Sequence, residues 1–340
     1  MKKLSRQDYK LYTALCKMTQ KELLFFLPQY LSSKNYKNIK KTSDYIIAEG
    51  DIPILLCAHL DTVGHAPPKE IYYDKEAGVI WSPDLCGADD RAGVFSILKI
   101  LEQNLRPCIC FTTDEEIGGV GAEILSQDGW PYCNLKFILQ LDRRNSGEVV
   151  YYDMSTESPF CDYIESFGFI EAIGSFSDVC FLAPAFNSAG CNLSVGYVDE
   201  HTREERLFVN GLFYTIDRVC KILEDKNSSY FEYIEDPFLW KSYYNNDPHY
   251  PTGGTKYICH SCGKLMPDYD AIPAKLIHGG VGYFCANCLD KIDWCKECGS
   301  TYEIDPKDPT CGLCVDCKKK AKNNGGSKQK SNKKSDKRSR

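Results

Sequence analysis

Residues 52–63 read IPILLCAHLDTV, and this stretch indicates both the fold class and the location of a candidate site. A short apolar run of this kind is typical of a strand that is buried on both faces. The run ends at His59, and Asp61 follows two positions later. Alternate residues of an extended chain point the same way, so Asp61 can accept a hydrogen bond from the imidazole of His59. The stretch therefore predicts a buried strand that ends in an oriented histidine.

Two later apolar runs, PCICFTT (107–113) and LKFILQL (135–141), also read as buried strands, and acidic residues follow each of them. Helical patterns such as DDRAGVFSILKILEQN separate the strands, and this alternation predicts an α/β fold with a mostly parallel central sheet flanked by helices. The carboxyl ends of parallel strands meet at one edge of a sheet, where ligands bind. Two imidazoles and several carboxylates brought together there make a metal site. The side chains expected at this edge are His59, Asp89, Glu115, Glu116, Asp142 and His201.

Such a cluster can carry out metal-assisted hydrolysis. A metal-bound water has a pKa of about 7, and a neighbouring carboxylate can take its proton as the water attacks a carbonyl. Of the adjacent Glu115 and Glu116, one can bind a metal while the other handles the proton. Each motif alone is more often a core group or a solvated loop, but their order and their positions at strand ends favour a site. We therefore expect hydrolysis of an amide or peptide bond.

These residues resemble those of the co-catalytic di-zinc peptidases, the group that includes peptidase T, glutamate carboxypeptidase and the bacterial zinc aminopeptidases. The resemblance covers about residues 44–224 and depends on AHLDTV, GADDRAG, TTDEEIGG and the late EHT. It implies two catalytic zinc ions, although Mn or Co suits the same donors. The ligands that it implies are His59, Asp89 and Asp142 for one ion, and Asp89, Glu116 and His201 for the other.

The resemblance also implies a role for each remaining residue of the site. Asp89 would bridge the two ions, Glu115 would be the general base, and Asp61 would orient His59. The bridge is assigned to Asp89 rather than Asp90, because in the family one residue separates the bridging aspartate from a Lys-Ala-Gly or Lys-Gly-Gly element. Here Arg91-Ala92-Gly93 follows Asp90, with Arg91 where the family usually has Lys.

The spacing of the last two ligands departs from peptidase T. Relatives of peptidase T insert a dimerisation lid of roughly a hundred residues at this point. Only 58 residues separate Asp142 from His201, which is too few for that lid and the remaining core strands. We therefore expect the layout of the single-domain zinc aminopeptidases, without a lid domain. Because lid residues commonly contact the substrate, its class stays open.

Three further residues are candidates for substrate binding. Arg143 and Arg144 can grip a substrate carboxylate, or they can form surface ion pairs. Tyr197 can donate to a developing oxyanion, or it can lie in the core. The expected activity is that of an exopeptidase, either an aminopeptidase or a di- or tripeptidase. The alternatives are an N-acyl amino acid deacylase with the same site and a non-catalytic zinc-binding adaptor.

Nine of the nineteen cysteines are concentrated in residues 259–317, in close pairs. Each half of this module has two CxxC pairs, separated by 22 residues in the first half and 15 in the second. This spacing is typical of structural zinc, and the odd count argues against disulfides. The module resembles tandem zinc ribbons holding two zinc ions, and Cys311 is spare unless it replaces Cys317. The expected ligands are Cys259, Cys262, Cys285, Cys288, Cys295, Cys298, Cys314 and Cys317.

The chain thus divides into five predicted segments. They are N-terminal helices packing on the catalytic domain (1–42), the di-zinc peptidase-like domain (43–224), an aromatic and acidic linker (225–257), a double zinc ribbon (258–317) and a disordered basic tail (318–340). In the first segment a second helix, capped by Thr19, is predicted to end before Pro28, and the last helix of the catalytic domain is predicted to run from about Arg203 to Leu223.

Composition restricts the partners and the compartment. The chain is 43% hydrophobic and 26% charged, as expected for an ordinary globular protein, and MKKLSRQDYK lacks a signal-peptide core. No run approaches the roughly 20 apolar residues of a membrane span, so we expect a cytoplasmic protein without a membrane contact. The tail after Cys317 has eleven Lys or Arg against one Asp. The tail can contact nucleic acid or other polyanions, or it can be only a solvated, solubilising segment, whereas for the ribbons protein is preferred to nucleic acid as the partner.

Overall fold

A computed structural model describes residues 2–64, 66–156, 158–236, 257–262, 265–266, 272–277, 281–285, 288, 291–298, 300–308 and 312–325. The chain contacts divide it into two units, Met1–Leu239 and Trp240–Arg340, and each is described by itself. Within the described residues, no helix combines the length and the apolar character that crossing a membrane requires.

The first unit contains twelve strands and seven helices among its described residues. The strands are β1 (Ile39–Lys41), β2 (Tyr45–Ala48), β3 (Ile52–His59), β4 (Tyr72–Asp74), β5 (Val79–Trp81), β6 (Pro107–Thr112), β7 (Phe137–Arg143), β8 (Glu148–Val150), β9 (Ile170–Glu171), β10 (Gly190–Ser194), β11 (Tyr197–Val198) and β12 (Arg206–Phe208). The helices are α1 (Arg6–Cys16), α2 (Gln20–Ser33), α3 (Ala88–Leu101), α4 (Val120–Asp128), α5 (Pro159–Glu165), α6 (Val179–Ala185) and α7 (Val209–Glu224).

The central sheet has eight strands in the order β1-β2-β6-β3-β7-β10-β8-β9. Its middle strands β6, β3, β7 and β10 are mutually parallel, whereas β2 and β8 join them antiparallel. The predicted α/β fold with a mostly parallel central sheet is thus confirmed. Since β6, β3 and β7 run the same way, their carboxyl ends lie along one edge, as the apolar runs predicted.

Both faces of this sheet are covered, and the alternation along β3 shows how. Ile54, Leu56 and Ala58 are fully buried in a large core with residues of α1, α2, α3 and α7. Leu55 and Cys57 point the other way, into a smaller core with residues of α4 and α6. Because both faces are dry, the central strands are mostly apolar. The buried cysteines of these strands act as small apolar side chains.

The N-terminal helices confirm the predicted cap but not the predicted end. The Thr19 hydroxyl accepts a hydrogen bond from the backbone N–H of Glu22, and the Glu22 side chain accepts one from the Thr19 N–H, which makes a capping box. The expectation that α2 ends before Pro28 is wrong, because the helix continues through Pro28 to Ser33. Proline removes one intrahelical hydrogen bond, and burial of Leu24, Leu27 and Leu31 offsets this loss.

A second sheet has the strand order β11-β12-β5-β4. The sequence analysis did not predict this sheet, because its strands are only two or three residues long. Arg206–Phe208 pairs antiparallel with Val79–Trp81, so the last helix begins at Val209 and not near Arg203. Between Asp142 and His201 the described chain forms only strands of the two sheets and α5 and α6, which agrees with the expected absence of a lid domain.

Part of the predicted linker packs on the first unit. The ring of Phe231 lies 5.9 Å from Phe137 and 5.5 Å from Phe160, between ring centroids. The backbone N–H of Phe231 donates to the carbonyl of Lys136, and the Ala189 N–H donates to the carbonyl of Phe231. Residues 237–256 of the predicted linker lie outside the described residues.

The described residues of the second unit form a hairpin, a sheet and a helix. The hairpin pairs β13 (Tyr257–Ile258) with β14 (Leu265–Met266). The sheet contains β15 (Ile272–Lys275), β16 (Val281–Phe284), β17 (Ile292–Trp294) and β18 (Thr301–Glu303) in the order β16-β15-β18-β17, and α8 (Val315–Gly325) follows. The parallel pairing of β15 with β18 joins the two halves of the cysteine module into one sheet.

The predicted start of the tail needs correction. Residues 318–325 were expected to be disordered, but they form the end of α8. The backbone N–H of Lys318 donates to the carbonyl of Cys314, so the helix begins within the last CxxC pair. Asp316 lies in the first turn, where a negative charge is favourable. The rest of the predicted tail, 326–340, lies outside the described residues, as does Cys311.

Candidate metal centres

The six predicted side chains come from segments that the first unit brings to one edge of the central sheet. His59 ends β3, Asp142 lies near the end of β7, and Glu115 and Glu116 follow β6. Asp89 lies at the start of α3, which follows β5. The sixth, His201, lies in the loop between β11 and β12. Residues far apart in sequence therefore meet because parallel strands end side by side.

Asp89 lies between the two imidazoles. Its Oδ1 is 2.9 Å from Nε2 of His59, and its Oδ2 is 3.2 Å from Nε2 of His201. A different oxygen thus faces each imidazole. This is the geometry of a carboxylate shared by two adjacent sites.

One further carboxylate completes each side of Asp89. Oδ1 of Asp142 is 3.4 Å from Nε2 of His59, and Oε2 of Glu116 is 2.9 Å from Nε2 of His201. Ligand atoms of His59, Asp89 and Glu116 all lie within 4.8 Å of one another, so the two sides of Asp89 lie close together. The arrangement is therefore two adjacent groups of imidazole and carboxylate donors with Asp89 in common.

Asp61 holds His59 as the sequence predicted. Nδ1 of His59 lies 3.1 Å from Oδ1 of Asp61, which leaves Nε2 directed at Asp89 and Asp142. The backbone N–H groups of Glu115 and Glu116 each donate to the Asp61 carboxylate at 3.0 Å. Asp61 thus fixes the histidine and the acidic loop in one place.

The next residue, Asp90, is committed to the backbone. Its Oδ2 accepts from the N–H of His59 at 3.2 Å, and its Oδ1 accepts from the N–H of Gly93 at 2.7 Å. Asp90 also has an oxygen close to the donors of His59 and Asp142. However, Asp89 is the aspartate that reaches both imidazoles. The backbone at Asp89 and Asp90 is not helical, and the peptide bond between them is cis.

Several carboxyl groups of the centre lie close together and away from solvent, and this raises their pKa values. Burial raises the pKa of Glu115 to about 10, with further contributions from the Asp142 and Asp178 carboxylates. Burial likewise raises the pKa of Asp142 and of Glu116. In the absence of cations, hydrogen bonds to Asp89 and Glu116 raise the pKa of His201 to about 11. The acids resist ionisation and the neighbouring histidines retain their protons. Such shifts indicate a site that can accommodate cations.

A group of polar residues that the sequence analysis missed supports Asp142. Ser177 Oγ donates to its Oδ2 at 2.8 Å, and Gln140 Nε2 donates to the same oxygen at 3.2 Å. Asn192 Oδ1 accepts from the Asp142 backbone N–H at 3.0 Å. The available signal was Gln140 and Asn192 themselves, because an amide side chain in a buried apolar strand requires polar partners.

Asp178 was also missed. It is fully buried, and Thr112 Oγ1 donates to its Oδ2. Its Oδ1 has no hydrogen-bond partner within the described part of the chain. Burial raises the pKa of Asp178 to about 7, and the Asp142 and Asp61 carboxylates act in the same direction. Asp178 is therefore a further buried acid whose ionisation the carboxylates of the centre oppose.

The three substrate-binding candidates have partners within the protein. Arg143 Nε donates to Glu148 at 3.2 Å, and Arg144 donates to Glu200 at 2.8 Å. The Tyr197 hydroxyl donates to the backbone carbonyl of Asp142 at 2.7 Å. Tyr197 is buried, so it supports Asp142 from the interior. For all three residues, the geometry matches the structural alternative that the sequence analysis left open.

Arg91 lies where the resemblance led us to expect Lys, and its guanidinium is buried. It donates to the carbonyls of Leu15 at 3.1 Å, Leu60 at 2.7 Å and Met18 at 3.1 Å. A planar group with five donors can bind several carbonyls at once. Arg91 therefore ties the N-terminal helices to the segment that carries Asp61.

The second unit contains two groups of four cysteines. Their sulfur atoms lie within 4.8 Å of one another in each group. Cys262 Sγ is 3.7 Å from Cys285 Sγ, and Cys298 Sγ is 3.7 Å from Cys314 Sγ. Four thiolates that are about 2.3 Å from a tetrahedral zinc ion lie about 3.8 Å apart, so these distances suit zinc. The groups are Cys259, Cys262, Cys285 and Cys288, and Cys295, Cys298, Cys314 and Cys317.

The two cysteine groups repeat one local geometry. The backbone N–H of Cys285 donates to Sγ of Cys259 at 3.4 Å, and the N–H of Cys314 donates to Sγ of Cys295 at 3.3 Å. Burial opposes ionisation of Cys259, but backbone N–H donors lower its pKa to about 6. Such donors stabilise the thiolate form that binds metal.

The chain shares its fold with solved peptidases. A tripeptidase from Staphylococcus aureus matches with a TM-score of 0.54 and 15% identity, over 64% of this chain and 97% of that chain. Aminopeptidase PepT from Bacillus cereus matches with a TM-score of 0.53 and 15% identity, over 64% of this chain and 97% of that chain. A Zn-dependent exopeptidase from Parabacteroides distasonis matches with a TM-score of 0.50 and 15% identity, over 66% and 99% of the two chains.

The sequence itself gives no comparable match. No protein-family model matches the chain. No curated protein matches it either. At the identities of the solved structures, the likeness establishes the fold alone, which is of α/β type.

Proposed function

We propose that this protein is a metal-dependent hydrolase of peptide or amide bonds, and that it acts as an exopeptidase. The observation that supports this most is the position of Asp89, whose two oxygens face the Nε2 atoms of His59 and His201. His59 and Asp142 would hold one zinc ion, Glu116 and His201 would hold the other, and Asp89 would be shared by both. Two-metal sites of this kind are used for hydrolysis.

The donor set fits two cations. Both imidazoles present Nε2 to the same carboxylate, and the acids around them are crowded in a buried place. Without added positive charge, burial raises the pKa of Asp142 and of Glu116. Two divalent ions would supply the missing charge and remove the cost of burying these acids together.

The proposed reaction assigns one task to each residue. Metal ions bound here would lower the pKa of a water molecule and polarise the carbonyl of the scissile bond. Glu115 accepts the proton of the attacking water and returns it to the leaving nitrogen. Asp61 keeps the His59 ring in the tautomer and orientation that a ligand needs.

Glu115 is suited to the proton transfer because it is free to exchange a proton. Its backbone N–H is bound by Asp61, so the position of the residue is fixed. Burial raises the pKa of its carboxyl to about 10, and bound cations would lower that value toward neutrality. A general base works best when its pKa lies near the working pH.

The assignment to exopeptidases depends on the fold. Proteins that share it are described as a tripeptidase, an aminopeptidase and a Zn-dependent exopeptidase. This support is by analogy, because one fold can carry several activities. The substrate class proposed is therefore a small peptide, and an N-acyl amino acid would be cleaved by the same machinery.

We propose further that the second unit holds two structural zinc ions. Support comes from the two groups of four sulfur atoms and from the small hydrophobic clusters around them. A core this small contributes little stability, so metal binding would supply much of the folding free energy. The ribbons then provide a rigid module for contact with a protein partner.

A substrate panel tests the proposal. The purified protein is assayed against dipeptides, tripeptides and N-acyl amino acids, with and without a chelator, and its metals are identified and counted. We expect chelator-sensitive cleavage of at least one peptide. Glu115→Gln should lower kcat by roughly 10²–10⁴-fold while the metal content is unchanged. Cleavage of N-acyl amino acids alone would indicate a deacylase and not a peptidase. Full activity in Glu115→Gln would reject the catalytic role of this residue.

A further inference from the structure

The turn formed by residues 87–89, which presents Asp89, is held by the buried carboxylate of Glu205. Glu205 is 1% exposed, and its Oε2 accepts from the backbone N–H of Gly87 at 2.6 Å. Its Oε1 accepts from the backbone N–H of Asp89 at 3.0 Å. Both oxygens of one buried side chain are thus used to fix the turn that presents Asp89.

The turn needs this support because it lacks regular helical structure. Gly87 has a left-handed backbone, with φ of 66°, and Asp89 has φ −81° and ψ 106°. In a turn that combines left- and right-handed residues, the N–H groups of alternate residues point to one side and form a binding concavity for an anion. The Glu205 carboxylate fills that concavity. It therefore supplies acceptors to two of the backbone N–H groups that the start of a helix leaves without an intrahelical partner.

Glu205 also anchors the loop that carries His201. The two residues are four positions apart, in a turn where Thr202 Oγ1 donates to the carbonyl of Asp199. His201 itself has φ of 62°, and 47% of its side chain is exposed. The buried Glu205 is thus the point at which this exposed loop is attached to the turn of Asp89.

We propose that Glu205 is a positioning residue that sets the distance between Asp89 and His201, and so controls binding of the ion on the His201 side. This inference rests on the proposed two-ion site. His59 has a separate support in Asp61, which also fixes the loop of Glu115 and Glu116. Loss of Glu205 should therefore affect the two ions unequally.

The test compares Glu205→Gln with Glu204→Gln in the full chain. Glu204 is the exposed neighbour, so its substitution makes the same chemical change away from the turn. Glutamine keeps the volume of Glu205, but its amide nitrogen would face a backbone N–H in place of an acceptor. Each protein is equilibrated with chelators of increasing strength, and zinc is counted per chain.

We expect the wild type and Glu204→Gln to keep about four zinc ions per chain under mild chelation. Glu205→Gln should lose a single ion, with an affinity lowered by roughly 10–100-fold. The remaining three ions serve as an internal control, because general destabilisation would not remove one ion selectively. Identical zinc loss in the two variants, or equal weakening of both catalytic ions, would overturn the proposal.

A second variant guards against misfolding. Glu205→Ala removes the carboxylate and leaves space for a small anion, so added formate should restore the lost ion if the carboxylate acts on the turn. No rescue by formate in a folded Glu205→Ala protein would count against the role. If the wild type itself holds only the two ions of the cysteine groups, the proposed hydrolase site fails and the inference on Glu205 fails with it, whereas a Glu205→Gln protein that keeps all four ions of the wild type rejects the role of Glu205 alone.

Discussion

The two units present metal-binding groups of opposite design. In the first unit, imidazoles and carboxylates come from segments between His59 and His201 that only the folded sheet brings together. In the second unit, each group of thiolates comes from two CxxC pairs close in sequence. Mixed donors with an exposed histidine suit a site that keeps a position for water, whereas four thiolates close a tetrahedron. Under the proposed function, metal would serve chemistry in the first unit and folding in the second.

Removal of metal should give the largest difference between the two units, and the difference lies in whether each unit stays folded. A strong chelator should unfold the second unit, because structural zinc contributes about 10–16 kcal/mol of apparent binding free energy. The first unit should stay folded, since its two cores are fully covered without any ion. Hydrogen exchange of the whole chain, with and without chelator, measures both effects together. Equal loss of protection in the two units would break the distinction.

Asp61→Asn should give the next largest effect, and it acts on the first unit alone. Asparagine keeps the shape but presents an amide nitrogen to one of the two backbone donors or to His59, so the ring loses its orientation. We expect metal affinity or activity to fall by roughly 10–100-fold. Asp74→Asn is the matched control, because Asp74 also accepts from two backbone N–H groups in an exposed turn away from the site. Equal effects of the two substitutions would contradict the assigned role.

Metal binding to the first unit should release protons. Hydrogen bonds to Asp89 and Glu116 raise the pKa of His201 to about 11, so its imidazole is protonated at pH 7 when no metal is present. Burial lowers the pKa of His59, but the Asp142, Asp61 and Asp89 carboxylates together outweigh it and raise the pKa above its usual value. A metal ion must displace these protons, so affinity should fall as the pH falls. Binding also favours ionisation of the nearby acids whose pKa burial raises, so calorimetry in buffers of different ionisation enthalpy should give at least two protons released per pair of ions, and a value near zero would contradict this protonation state.

The smallest effect is expected at Arg144. Its guanidinium is half exposed and pairs with Glu200, so it contributes little to stability and is already occupied by a carboxylate. Arg144→Ala should change KM by less than about threefold, in line with the small free energies of exposed ion pairs. Steady-state kinetics on the cleaved peptide measures this. A much larger rise in KM would return Arg144 to the substrate site.

The sequence predicted the central strands of the first unit because their apolar runs are long. The apolar runs of β3, β6 and β7 are buried on both faces, so their composition alone marked them as strands, and the residues after them were expected to meet. The second sheet was missed because strands of two or three residues carry no periodicity. The passage of α2 through Pro28 was missed because a local rule was overridden by packing of the helix.

The supporting residues of the site were harder to predict than its ligands. Asp61 follows His59 at a spacing that indicates contact, but Glu205 reaches the turn of Asp89 across 116 positions. Its partners are backbone N–H groups, which leave no mark in the sequence. Asp178 and Ser177 likewise act through the fold, and only the amide side chains within apolar strands gave a usable signal.

The proposed hydrolase function depends on two cations held side by side by Asp89. Anomalous X-ray scattering at the zinc edge tests this directly. Crystals of the zinc-loaded protein should show two peaks about 3.5–4 Å apart, one on each side of the Asp89 carboxylate. Two further isolated peaks should lie within the cysteine groups. A single peak at Asp89, or none, with the cysteine peaks present, would contradict the two-ion site.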